Sequence, residues 1–129
     1  NQSSIPVTGS FTAGTTVSSL LSVISTAGTP APVAIKVTSG TLIGVNLYCN
    51  HTTLPRFLKV YNLGTAAVNS SVVPLFNVAV PPGTYRDVVL GGDGAAFTTA
   101  MSYLITSLAT STDTTAVGIN DLFGVVTFV

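Results

Sequence analysis

Glutamate and tryptophan are absent from this chain, and cysteine and histidine occur once each. Without Glu, a glycosidase-type carboxylate pair would have to come from four scattered residues, Asp87, Asp93, Asp113 and Asp121. One Cys cannot make an intrachain disulfide, which excludes a disulfide-stapled module. One Cys and one His cannot close a zinc site either. Fixed charge is scarce: Lys36, Arg56, Lys59 and Arg86 are the only bases, and charged residues make up 6% of the chain, about a quarter of the usual share. No polybasic footprint for nucleic acid exists, nor a basic face for anionic lipid. No apolar run reaches the ~18 residues of a transmembrane helix. The first ten residues show no basic segment and no apolar core, so no signal peptide is visible in that stretch. The chain does not begin with Met, as expected of a processed or trimmed product.

What is present is apolar and small-polar. At 129 residues the chain is expected to be a single domain able to bury a real core. Its surface must be wetted mainly by Ser, Thr, Asn and backbone, with little charge repulsion to keep copies apart. With 47% hydrophobic residues, much of that surface is expected to be covered by other chains, as in a homo-oligomer.

The stretch Thr41–Asn62 reads as a hairpin. Ile43, Val45, Leu47 and Cys49 alternate with Gly44, Asn46, Tyr48 and Asn50, the period of a strand with one face buried. After a polar turn, Leu58 and Val60 point one way and Phe57, Lys59 and Tyr61 the other. Pro55, lacking an amide donor, suits the first position of that second strand.

Upstream, residues 1–32 carry no charge and are rich in Ser, Thr, Gly, Ala and Pro. Residues 1 to about 14 are expected to form an extended arm that orders against a neighbour, and Val17–Ile24 a strand. Downstream, strands are expected at Val33–Thr38, Val72–Val80, Arg86–Leu90, Ala96–Thr106 and Leu122–Val129. Pro74 marks an edge or bend, Pro81-Pro82-Gly83 a turn, and Thr98–Ala100 an irregularity. The spacing predicts an all-β fold, an antiparallel β-sandwich or jelly-roll-like barrel of seven to eight short strands. The arm and first strand would occupy residues 1–32 and the sandwich 33–129. In the last strand Leu122, Val126 and Phe128 face one way, and Phe123, Val125 and Val129 the other. An apolar second face in an antiparallel sheet points to a partner. Phe11, Val17, Leu20, Leu21, Phe123 and Val125 are the candidate interface residues.

No arrangement for catalysis emerges. His51 lies two residues from Cys49, but Cys49 faces the core by pattern and no Asp is near in sequence. Asp93 with Asp113 or Asp121 could meet around a calcium ion, yet Asp in a Gly-rich turn is foremost a turn former. No cofactor and no metal is expected. Tyr48, Tyr85 and His51 allow a carbohydrate-binding reading, weakened by the lack of Trp. Asn50-His51-Thr52 and Asn69-Ser70-Ser71 match the glycosylation sequon, which matters only in a secreted eukaryotic protein.

Four segments carry a resemblance: Pro55–Asn62 (PRFLKVYN), the Val80-Pro81-Pro82-Gly83-Thr84 turn, Phe97–Thr106, and Thr114–Asp121 (TTAVGIND). In order and spacing, over about residues 54–129, the chain resembles small β-sandwich structural proteins of tailed bacteriophages, of the capsid decoration or cement kind. The resemblance implies a non-enzymatic protein of the virion, on the capsid surface and assembled in the host cytoplasm. It would bind the major capsid protein, and by analogy be a homotrimer. A tail-, neck- or fibre-associated module, or one that binds host glycans, is the alternative.

Overall fold

A computed structural model describes residues 18–65 and 72–129. Nine strands run through them: β1 Ser19–Ile24, β2 Val33–Lys36, β3 Gly40–Cys49, β4 Arg56–Tyr61, β5 Phe76–Val80, β6 Tyr85–Val89, β7 Ala95–Phe97, β8 Met101–Thr106 and β9 Leu122–Phe128. None of the described residues is helical. The strands form two antiparallel sheets, one ordered β1-β9-β3-β6 with β7 also on β3, the other β2-β8-β4-β5. The chain crosses between the sheets at most connections, and with β7 as an addition this is the two-sheet, eight-strand order of a jelly roll. The all-β sandwich expected from the sequence is therefore present, with nine strands in place of seven to eight. The arm, Phe11 and Val17 lie outside the described residues, as does the sequon at Asn69.

The extra strand arises where Ala96–Thr106 was expected to run on. The Asn62 side chain reaches in from the end of β4, its Oδ1 accepting from the Thr99 and Ala100 amides at 2.8 and 3.3 Å and its Nδ2 donating to Thr98 Oγ1. These bonds take backbone donors out of the ladder, and the halves join different sheets.

The hairpin expectation for Thr41–Asn62 is corrected. β3 is already flanked by β9 on one side and by β6 and β7 on the other, so β4 has no edge of β3 to pair with. The turn is a corner that carries the chain across the sandwich. The alternation itself holds: Val45, Leu47 and Cys49 of β3 face Leu58 and Val60 of β4 in one core. Ile43 is the exception, because an irregularity between Leu42 and Gly44 shifts the register and puts Leu42 inside instead. Further along β3, opposite Leu47, β9 approaches closely, since a Cβ on Gly124 would run into the Asn46 carbonyl oxygen.

The two outer faces differ. On the four-stranded sheet, Lys59, Tyr61, Ser102, Leu104 and Thr106 point away from the core and are nevertheless buried. Lys59 Nζ donates to the Leu108 and Thr110 carbonyls, Thr106 Oγ1 to Leu108 and Ser102 Oγ to Leu63. The chain thus folds its own loops over this face. No loop among the described residues covers the outer face of the five-stranded sheet.

Candidate functional site

Directly opposed residues in an antiparallel sheet share a face, so the register assigns the open face row by row. Ile24, Phe123, Tyr48 and Tyr85 make the first row, Ser22, Val125, Asn46 and Asp87 the second, and Leu20, Thr127, Gly44 and Val89 the third. The Tyr48 ring lies 4.6 Å from Tyr85 and 5.5 Å from Phe123, centroid to centroid, tilted by 49° and 41°. Tyr85, Val89 and Leu20 are each more than 70% exposed, large for apolar side chains on one face. Gly44 has no side chain, and a shallow dent of about 310 Å³ lies over it, bounded by Leu20, Asn46, Asp87, Val89, Val125 and Thr127.

Of the candidate interface residues, Leu20, Phe123 and Val125 lie on this open face. Leu21 does not. It packs inward against the core, so the pair divides between the two sides of β1.

No known family model, curated protein or solved structure matches the chain.

The remaining polar candidates are absorbed by structure. His51 Nδ1 accepts from the Thr53 and Leu54 amides at 3.2 and 3.0 Å, capping the corner between β3 and β4. Cys49 is buried among core side chains. The Arg56 guanidinium holds Asp121 Oδ2, which also accepts from the Gly118 amide. Burial pushes the Asp121 carboxyl up, but the Gly118 amide and Arg56 outweigh it and hold the group below the usual carboxylate range. Asp113 behaves alike: against the effect of burial, Thr115 and the amides of Leu108 and Ser107 hold it down. Asp113 and Asp121, two of the three carboxylates weighed for calcium, are thus spent separately, and no group of three metal-ligating side chains occurs among the described residues.

Lys59 is what sequence reasoning missed. Its ammonium is buried, and burial lowers its pKa against the pull of Asp113. The signal available was a base on an apolar strand with no acid near in sequence. Once Arg56, Lys59, Asp113 and Asp121 are tied into these contacts, Lys36, Arg86, Asp87 and Asp93 are the charges left to the surface. Of these, Asp87 lies within the three rows of the open face, and Asp93 borders Thr41, Ile43 and Val129 at the third-row end.

Proposed function

We propose that this chain is a non-enzymatic structural protein of a tailed-phage virion, one that decorates or cements the capsid by binding the major capsid protein. The observation that carries the reading is the contrast between the two outer faces: one is closed by the chain's own loops, the other is left open by the described residues, largely apolar and nearly free of charge. The resemblance of residues 54–129 to phage structural proteins supplies the context. Its quoted residues Arg56, Lys59, Asn62 and Asp121 serve as anchors that hold loops to strands, which suits a scaffold. Binding to the assembled shell alone would stabilise it by mass action. The aliphatic third row, with Leu20 and Val89 around the Gly44 dent, is the docking end.

Sedimentation tests this directly, first of the protein alone and then mixed with capsids that lack it. A trimer that co-sediments with shells, and ceases to when Leu20 and Val89 are both changed to Asp, is the expected result. A folded protein that ignores capsids removes the reading.

A further inference from the structure

The opposite end of the open face has a different chemistry. β1 enters the sheet at the third row, and Val129 bonds to Thr41 near the same end. The aromatic first row lies at the other end, by the Pro81–Thr84 turn and the corner after Cys49. Beside it Asn46 stands directly opposite Asp87. Both are exposed, and neither side chain has a hydrogen-bond partner among the described residues. The exposed Tyr85 ring and the half-buried Tyr48 ring therefore adjoin an unpaired carboxylate and an unpaired amide, which lead into the Gly44 dent.

We propose that this end of the face binds a neutral glycan. A pyranose ring presents an apolar C–H face flanked by hydroxyl groups. The C–H face stacks on Tyr85 and Tyr48, whose rings are flat, stiff and amphipathic. The hydroxyls donate to the Asp87 carboxylate, and Asn46 both accepts and donates. Adjacent rows are two residues apart along the strand, about 7 Å, the scale of one sugar ring, so a second ring reaches the dent over Gly44.

Charge decides among occupants. A second copy docked face to face would bury Asp87 against rows that contain no base, and an unpaired buried carboxylate is strongly unfavourable. An acidic glycan would set its carboxylates against Asp87. A neutral sugar instead brings several donors and no charge. The inference does not rest on the capsid reading: the first sugar ring sits at the aromatic end, and only a second ring reaches the dent assigned there to docking.

The test is an amide NMR titration of the full chain with neutral oligosaccharides (cello-, malto- and chito-oligomers) and, in parallel, with polygalacturonate and sialyllactose. Saturable shifts at Asn46, Tyr48, Tyr85 and Asp87 with a neutral oligomer are expected, and Tyr85→Ala should weaken binding by about tenfold or more. Tyr85 is exposed on an edge strand, so that variant should keep its unfolding midpoint and its co-sedimentation with capsids. Asp87→Asn should weaken neutral binding severalfold, since one amide oxygen replaces the carboxylate as acceptor, and should ease discrimination against acidic sugars. No saturable shift with any neutral oligomer, equal binding of acidic ones by the unaltered chain, or binding that survives Tyr85→Ala overturns the proposal.

Discussion

The Arg56 guanidinium reaches across 65 residues of sequence to grip one oxygen of Asp121, with Nε at 2.9 Å and Nη2 at 2.7 Å. This bond ties the first residue of β4, in one sheet, to the residue preceding β9, in the other. Both partners are largely out of water, so removing one strands the other. Arg56→Ala should cost about 3 kcal/mol, read as a lower urea midpoint. A double-mutant cycle with Asp121→Asn should show strong coupling; additive losses would mean that the pair is a bystander.

Acid should weaken the fold through the same carboxylates. Asp113 and Asp121 are both held below their ordinary values in the folded state. Their contribution is therefore present above the unfolded carboxylate pKa of about 3.9. It is lost as pH falls through the folded values. Unfolding midpoints should be level from pH 7 to 5 and drop below about 4. In Asp121→Asn the drop should be shallower, since one of the two titrating groups is gone.

Tyr61 offers a prediction of the opposite sign. Its hydroxyl is buried and has no hydrogen-bond partner among the described residues, so the folded state carries a desolvation cost with nothing returned. Tyr61→Phe should raise stability by about 1 kcal/mol, whereas Tyr61→Ala should be destabilising through the lost contacts with Leu104 and Leu63. A less stable Phe variant would mean that the hydroxyl has found a partner in solution.

Gly124 should tolerate no side chain. Its missing Cβ is what lets β9 lie against Asn46 and Leu47. Gly124→Ala should force the two central strands apart and lower stability by about 2 kcal/mol or more, with amide exchange faster along β9 and β3 and little changed along β4 and β5.

Lys59 should prove to be a loop anchor. In Lys59→Met the aliphatic stem is retained and the two bonds to Leu108 and Thr110 are lost. Exchange at Ser107, Leu108 and Thr115 should rise by about tenfold or more, while core amides in β4 stay protected.

How much of this was legible depends on range. Alternation located Val45, Leu47, Cys49, Leu58 and Val60 correctly, because facing is a property of each strand alone. It could not say whether β3 and β4 pair or cross, since either arrangement needs the same pattern; β9 and β6 decide that by taking both edges of β3. The split at Thr98–Ala100 was visible as an irregularity, but its cause, Asn62, lies 36 to 38 residues away. The buried bases were hidden for the same reason: the partners of Lys59 are 49 and 51 residues on. The apolar second face of β9 was legible, and only pairing with β3 and β6 set Tyr48 and Tyr85 beside Phe123.

The place of β9 has a consequence for how the molecule is made. Ser25 bonds to Leu122 across 97 residues, and among the described residues β1 has no partner strand other than β9. A chain emerging from a ribosome must therefore wait for β9 before the β1–β9 pairing can form, a slow, long-range closure. During that wait an apolar edge is open to other nascent copies. Chaperone demand and sensitivity to translation rate should be high for so small a domain, and a product truncated before Leu122 should aggregate.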